Sequence, residues 1–158
     1  MRLHVNRHAF ALALLAMMIP GPGAAYDVRG VLTFPNARVV DGDGIAMGRV
    51  EVRLQGIAAP EDRRGRVDPG GKASSEALRQ LAEGREVICR LDGTRASSGR
   101  PVGRCSVEGM DLGWAMVRAG HARDCPAFSE GDYAEAEALA RVEGRDLSAI
   151  YALPDYCR

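Results

Sequence analysis

Alternating apolar and polar positions predict short β-strands along this chain. Val50, Val52 and Leu54 are separated by polar residues, which is the pattern of a strand with one buried face. The pair Gly48-Arg49 before this strand has the composition of a two-residue hairpin turn. Four further strands are predicted at residues 37–40, 45–47, 87–91 and 102–107.

Helical spacing of apolar residues follows the first strands. Ala73, Ala77, Leu78 and Leu81 recur on one helix face, and Gly84 follows as a C-terminal stop. Because strands and helices follow one another in this order, we predict a small α+β domain on a five-stranded β-barrel, with about three α-helices. The other two helices are predicted at residues 112–119 and 132–142, the second with Ser129 as a candidate N-cap.

The first 25 residues have the composition of a secretory signal peptide. Arg2 and Arg7 precede an apolar run at residues 9–19, which is shorter than the about 20 apolar residues of a bilayer-spanning helix. Small residues at 23–25 suit a cleavage site. We therefore expect a signal peptide at 1–25, a mature domain at 26–158 without membrane contact, and a secreted or periplasmic location. An uncleaved anchor or a buried helix is the alternative.

The composition is typical of a globular protein, and the formal net charge of the chain is zero. Hydrophobic residues make up 46% and charged residues 27%, which excludes a disordered or collagen-like chain. Basic and acidic residues number 21 each, so net charge indicates neither a nucleic-acid nor a membrane partner. Lys72 is the only lysine. Arginine, which can bind a phosphate through two N–H groups, therefore supplies nearly all the positive charge.

The cysteines predict disulfides in an exported protein. Three pairings of Cys89, Cys105, Cys125 and Cys157 are possible. We favour Cys89 with Cys105, which would face each other across a hairpin, and Cys125 with Cys157, which would tie the C-terminal tail to the domain. A zinc site is the alternative, but the chain contains no C-x-x-C pair.

Several enzyme classes are excluded by composition. His121 is the only histidine after the predicted signal peptide, so nucleases and metal sites that need two histidines are excluded. Residues 70–73, Gly-Gly-Lys-Ala, match a phosphate-binding loop poorly, and we interpret them as a helix start.

The remaining candidates for chemistry are carboxylates and arginines. Asp41 and Asp43 lie in a predicted turn, Arg53 and Glu61 flank the end of a strand, and Arg100 follows a polar loop. Phosphodiester hydrolysis uses such groups, since a carboxylate can activate water and arginines can stabilise charge on phosphate oxygens. The alternative interpretation is that they are turn acids and surface charges.

Three motifs in register resemble the staphylococcal nuclease (thermonuclease) family. They are A-R-V-V-D-G-D-G-I at 37–45, V-R-L-Q-G-I-A-A-P-E at 52–61 and S-G-R-P-V-G-R-C at 98–105. The resemblance extends over about residues 30–145 and implies an OB-type barrel with three helices. It also implies a calcium-dependent phosphodiesterase acting on single-stranded or frayed DNA and RNA.

The resemblance assigns roles to individual residues. Glu61 matches the general base, and Arg53 and Arg100 match the arginines that bind the phosphate and stabilise its transition state. A further patch of arginines, Arg63, Arg64 and Arg66, follows Glu61 in the chain.

The calcium site implied by the resemblance is incomplete. Asp43 matches a direct ligand, Asp41 a supporting carboxylate and Ala59 a position that binds calcium through its main-chain carbonyl. Ala58 stands where the family usually has a second ligand aspartate. We therefore expect calcium binding to be weak, because affinity rises with the number of carboxylates.

Substrate contacts also depart from the family pattern. Gly44 replaces a threonine, and Ala96 and Ser98 replace an acid and a tyrosine. The aromatic positions after the second helix map near Pro126 and Phe128, which leaves at most one stacking ring.

Two functions remain open from the sequence. The first is a monomeric exported nuclease that acts on single-stranded DNA or RNA with a weakened or altered calcium site. The second is a non-catalytic barrel retained for binding or structure. Retention of Glu61, Arg53 and Arg100 favours the first, and Ala58 favours the second.

Overall fold

The computed structural model describes residues 29–158. The predicted signal peptide at 1–25 lies outside these residues. The α-helices are α1 (Gly71–Ala82), α2 (Leu112–Arg118), α3 (Pro126–Ser129) and α4 (Ala134–Val142), and two 3₁₀ helices span Leu147–Ala149 and Asp155–Cys157. The strands are β1 (Arg29–Phe34), β2 (Arg38–Asp41), β3 (Gly44–Met47), β4 (Val50–Leu54), β5 (Ile57–Ala58), β6 (Asp62–Arg63), β7 (Arg66–Val67), β8 (Val87–Arg95), β9 (Pro101–Val107), β10 (Met110–Asp111) and β11 (Arg123–Asp124).

The main sheet is a curled, mixed half-barrel in the order β1-β8-β9-β4-β3-β2, with β10 paired to β9. Its pairs are antiparallel except for β4 with β9, which run parallel. Strands β5 and β11 form one small sheet, and β6 and β7 form another. The α+β fold of OB type is confirmed.

All five predicted strands are present, as β2, β3, β4, β8 and β9. Strand β1 was not predicted, because it lies at the sheet edge with most residues exposed and lacks an apolar alternation. Helix α4 begins at Ala134 and is not capped by Ser129, whose hydroxyl instead donates to Asp124 Oδ1 at 2.6 Å. The predicted cap was therefore wrong.

The alternation of β4 separates the core from the site. Val52 and Leu54 are buried with Ile45 from β3, whereas Arg53 points to the opposite face. Val50 is exposed because it lies next to the hairpin turn, where the strand has just begun. Leu78 of α1 and Leu112, Met116 and Val117 of α2 close the core on its helical side.

The structure contains both disulfides that the sequence favoured. Cys89 of β8 faces Cys105 of β9 in the sheet register, and the two are bonded. Cys125 at the start of α3 is bonded to Cys157 near the C-terminus. The second bond ties the tail to the domain. Between residues 29 and 158, no helix is long and apolar enough to span a bilayer.

Removal of the Cys89–Cys105 disulfide is expected to lower the free energy of unfolding by about 3 kcal/mol. The bond closes a loop with a sequence separation of 16 residues, and a loop of that length restricts the unfolded chain by about this amount. Urea denaturation of Cys89→Ala/Cys105→Ala measures the change. An unchanged urea midpoint would show that strand pairing alone supplies the stability.

Candidate functional site

Strand pairing brings the two predicted phosphate-binding arginines together. Arg53 in β4 is the register partner of Val102 in β9, and Arg100 precedes β9 by one residue. In this register the end of β4 lies beside the start of β9, so Arg100 stands two residues before the partner of Arg53. The two guanidinium groups therefore belong to one site although they are far apart in the chain.

Glu61 is held in place by its backbone. Its N–H donates to Asp68 Oδ2 at 3.3 Å, and its carbonyl oxygen accepts from the N–H of Asp68 at 2.9 Å. Helix α1 begins directly against it, since a Cβ on Gly71 would lie 2.0 Å from the carbonyl oxygen of Glu61. A side chain at position 71 would therefore displace Glu61. The segment at 70–73 is a helix start, as its composition indicated.

Arg53, Arg100 and Glu61 all line one cavity of about 720 Å³ at the end of the barrel. Arg66 and Arg95 add two further guanidinium groups to its wall. Aromatic side chains from the C-terminal part of the chain complete the lining, and they are Phe128, Tyr151 and Tyr156. The cavity thus combines positive charge, one carboxylate base candidate and aromatic surface.

Asp43 is buried against Arg53. Its carboxylate Oδ2 lies 2.9 Å from Arg53 Nη2. Burial raises the pKa of Asp43 to about 7, although the charge of Arg53 acts in the opposite direction. Burial lowers the pKa of Arg53, but the charge of Asp43 and, more weakly, Tyr156 outweigh burial and raise it. The pair therefore holds the Arg53 guanidinium in a defined position beside the cavity.

Asp41 and Glu51 each form an ion pair with a third arginine, Arg63. Its Nε donates to Asp41 Oδ2 and its Nη2 donates to Glu51 Oε1 at 2.6 Å. Glu51 Oε1 also accepts from Arg100 Nη1 at 2.5 Å. Burial raises the pKa of Glu51, but the hydrogen bonds from Arg63 and Arg100 outweigh burial and lower it. Glu51 therefore stays charged and positions Arg100.

Arg63 also reaches the predicted base. Its Nε lies 3.9 Å from Glu61 Oε2, so a single guanidinium contacts carboxylates from β2, β4 and the segment after β5. The arginines that follow Glu61 in the sequence do not form one patch. Arg63 turns toward the acids, Arg66 pairs with Asp68 on the cavity wall, and Arg64 is exposed.

The residues predicted to hold calcium do not fit that ion well. Asp43 and Asp41 are each paired with an arginine. The carbonyl oxygen of Ala59 accepts from the hydroxyl of Tyr151 at 3.2 Å. No group of three or more His, Cys, Asp or Glu side chains in residues 29–158 is arranged to hold a metal. Hard cations usually take six to eight oxygen ligands, and the side chains present offer fewer.

Ala58, the position at which the resemblance implies a ligand aspartate, has apolar surroundings. Ala58 is fully buried and packs in a second apolar cluster with the Cys125–Cys157 disulfide, Leu147 and Tyr151. This cluster consists largely of the C-terminal segment. An aspartate at position 58 would lie against these apolar groups. The small apolar side chain of alanine therefore suits the packing of the tail at this position.

Ala58→Asp is expected to lower the free energy of unfolding by roughly 3 kcal/mol in chelator, because it buries a charge without a partner. It is also expected to bind calcium more tightly than the unaltered chain, because it restores the carboxylate that the family resemblance places among the calcium ligands. Titration calorimetry measures the affinity, and thermal unfolding with and without calcium measures the linked stabilisation. Ala58→Asn is the control, with the same shape and no charge. Equal calcium affinity in both variants would contradict the expectation.

Sequence reasoning missed four residues of this site: Glu51, Arg63 as an ion-pair partner, Tyr151 and Tyr156. The alternation of β4 places Glu51 on the same face as Arg53, so its position was detectable. The contacts of Arg63 were not, because they join strands β2, β4 and β6. Tyr151 and Tyr156 line the cavity because the C-terminal tail packs against the domain. This packing produces no periodic pattern in the sequence of the tail, so it could not be predicted.

Comparison with protein families identifies one match. A family model described as staphylococcal nuclease homologue matches residues 51–147, which is more than half of the chain. The match includes Arg53, Glu61 and Arg100 but begins after Asp41 and Asp43. No curated protein matches the chain.

Proposed function

The chain belongs to the staphylococcal nuclease homologue family, and from this membership and the site geometry we propose that it is an exported phosphodiesterase that hydrolyses single-stranded DNA or RNA. The observation that carries the proposal is that Arg53, Arg100 and Glu61 line the same cavity. A site built only for binding has no need of a carboxylate beside two arginines, because the carboxylate repels a phosphate.

Arg53 and Arg100 bind the phosphate in the proposed mechanism. Arg53 uses Nη2 to contact Asp43, and Arg100 uses Nε and Nη1 to contact Ser98 and Glu51. A guanidinium has five N–H donors, so both groups can also donate to phosphate oxygens. Their fixed positions place positive charge where negative charge develops on the equatorial oxygens of the transition state.

Glu61 acts as the general base in the same mechanism. Its carboxylate accepts a proton from a water molecule, whose oxygen forms a bond to phosphorus while the phosphorus–oxygen ester bond breaks. The leaving oxygen takes a proton from solvent. Glu61 suits this role because its side chain is 30% exposed and therefore accessible to water.

Calcium is proposed to bind weakly. The basis is the pairing of Asp41 and Asp43 with arginines and the absence of a side-chain oxygen at Ala58. No step of the mechanism above is assigned to the ion.

The proposals on export and oligomeric state rest on the interpretation of the sequence. We propose that residues 1–25 are a signal peptide and that the mature chain is a secreted or periplasmic monomer. The two disulfides support an oxidising compartment.

A non-catalytic barrel is the second candidate function. The observation that favours it is that three arginines at the site are already paired with Asp43, Asp41 and Glu51. Each pair reduces the positive charge available to a phosphate.

Degradation of single-stranded DNA by purified residues 26–158 distinguishes the two functions. We expect cleavage of a fluorescent oligonucleotide, with calcium raising the rate modestly and chelator lowering it modestly, because the metal site is weak. Magnesium and manganese are tested in parallel. Binding of the oligonucleotide without cleavage in any of these conditions would support the non-catalytic barrel.

A further inference from the structure

A single guanidinium group, that of Arg63, contacts three carboxylates at the candidate site. Its Nε donates to Asp41 Oδ2 and its Nη2 donates to Glu51 Oε1 at 2.6 Å. The same Nε lies 3.9 Å from Glu61 Oε2. The three acids come from β2, from β4 and from the segment after β5. Arg63 therefore joins three parts of the chain through one positive charge.

Asp41 depends on this contact because its carboxylate has little access to water. The side chain of Asp41 is 4% exposed, and its Oδ1 accepts from the backbone N–H of Asp43 at 3.3 Å. The other oxygen, Oδ2, accepts from Arg63. A carboxylate that is shielded from water needs hydrogen-bond donors and a positive charge to remain ionised. Arg63 supplies both to Asp41.

Arg63 is also connected to the residues that are proposed to bind the phosphate and to act as the base. It shares Glu51 Oε1 with Nη1 of Arg100, which lies 2.5 Å from that oxygen. It approaches the carboxylate of Glu61 without lining the cavity itself. Arg63 therefore does not occupy the space of the phosphate. Its effect on the reaction passes through Glu51 and Glu61.

A divalent cation and the Arg63 guanidinium are alternative partners of the same acids. Calcium binds carboxylate oxygens directly, at about 2.3 to 2.6 Å, and both oxygens of Asp41 already accept hydrogen bonds. A calcium ion on Asp41 would have to displace Arg63, because two positive groups on one carboxylate repel each other. This contact is one physical reason why the acids present do not fit calcium.

We propose that the Arg63 guanidinium is the resident cation of this site. The term denotes a side-chain positive charge that holds Asp41, Glu51 and Glu61 in place, for which calcium would otherwise be needed. The inference rests on the proposed function and deepens it, because the chain itself then positions Glu61 and Arg100. Arg63 is a positioning residue, since it does not line the cavity. Its removal frees the acids and makes the site dependent on a divalent ion.

The test is the calcium affinity of Arg63→Ala, measured by titration calorimetry on the mature chain. We expect its calcium Kd to be on the order of 10-fold lower than that of the unaltered chain, because affinity rises with the number of available carboxylates. Adding Glu51→Gln to Arg63→Ala should remove most of this gain, because one freed carboxylate is lost. An unchanged Kd in Arg63→Ala would overturn the resident cation.

Arg64→Ala is the matched control for net charge. Arg64 is the next residue in the chain, is exposed and does not line the cavity. Its substitution removes the same charge without freeing an acid, so calcium affinity should not change. Equal tightening in Arg63→Ala and Arg64→Ala would indicate an effect of net charge alone and would refute the proposal.

Thermal unfolding provides a second measurement on the same variants. Arg63→Ala leaves Asp41 without its charged partner, so we expect a lower Tm in chelator. Calcium should raise the Tm of Arg63→Ala more than that of the unaltered chain, because a ligand of the folded state stabilises it. Arg63→Gln, which keeps N–H donors but no charge, should respond in the same way. If neither variant folds at any calcium concentration, the ion does not replace the guanidinium and the proposal fails.

Cleavage of single-stranded DNA tests whether Arg63 positions the base. In chelator we expect kcat of Arg63→Ala to fall on the order of 10²-fold, the effect of a misplaced reacting group. Calcium should restore much of this loss in Arg63→Ala, whereas the unaltered chain should respond only modestly. A variant that binds calcium without any recovery of kcat would contradict the positioning role.

Calcium binding is measured without a substrate, so the two proposals fail separately. If Arg63→Ala gains calcium affinity but the unaltered chain cleaves no oligonucleotide, the resident cation stands and the phosphodiesterase does not. If the unaltered chain cleaves single-stranded DNA while Arg63→Ala and Arg64→Ala bind calcium equally, the phosphodiesterase stands and the resident cation is refuted.

Discussion

Glu61→Gln is expected to lower kcat for single-stranded DNA by about 10²- to 10⁴-fold, the usual contribution of a positioned general base. The glutamine amide cannot accept the proton of the attacking water. The volume of the side chain hardly changes, and the backbone hydrogen bonds of residue 61 to Asp68 do not involve it. Thermal unfolding should therefore match that of the unaltered chain while the rate of product formation falls.

A matched control for this prediction is Glu76→Gln. Glu76 lies in α1, away from the cavity lining, and pairs with Arg79 at 3.5 Å on the surface. The same chemical change there should leave kcat unchanged. If Glu61→Gln kept full activity, another group would have to act as the base.

Arg53→Lys and Arg100→Lys are each expected to lower kcat by about 10²- to 10³-fold, the effect of losing one preorganised donor to the transition state. An ammonium group keeps the charge but cannot form two parallel N–H bonds in the plane of a phosphate edge. The loss should be mainly in kcat, with a smaller change in KM, because charge on the equatorial oxygens increases in the transition state. Steady-state kinetics on an oligonucleotide substrate measures both constants.

The control for the arginine variants is Arg90→Lys. Arg90 is an exposed residue of β8 that does not line the cavity, so this substitution should leave both constants unchanged. Unchanged kcat and KM in Arg53→Lys and Arg100→Lys would indicate that positive charge, which lysine retains, sustains the reaction without the paired N–H bonds of the two guanidinium groups.

Glu51 gives a physical reason for the expected size of these effects. A guanidinium that is already hydrogen-bonded to a carboxylate loses little freedom when it meets a phosphate. Arg100 is held by Glu51 and Ser98, and Arg53 is held by Asp43. The acids therefore reduce the net positive charge of the cavity while fixing the direction of its donors.

The local pattern of the sequence was enough to predict the main elements of the fold. Alternation at Val50, Val52 and Leu54 indicated β4, and the spacing of Ala73, Ala77 and Leu78 indicated α1, because each pattern reflects burial of one face of a single element. The edge strand β1 escaped prediction since an exposed strand carries no such pattern.

The sequence by itself determined which residues are available for chemistry. Glu61, Arg53 and Arg100 lie within the segment that the family model matches, and the even number of cysteines with their spacing led to the pairing that the structure contains. These features were accessible because each depends on residue type and on order along the chain.

Only the tertiary structure decided how these residues are connected. The register of β4 and β9 brings Arg53 close to Arg100, and the proximity of β2, β4 and β6 lets Arg63 pair with Asp41 and Glu51. Docking of the tail buries Ala58 and delivers Tyr156 to the cavity. Such contacts join segments distant in the chain, and their energies depend on distance and burial in three dimensions, which no local pattern of residues records.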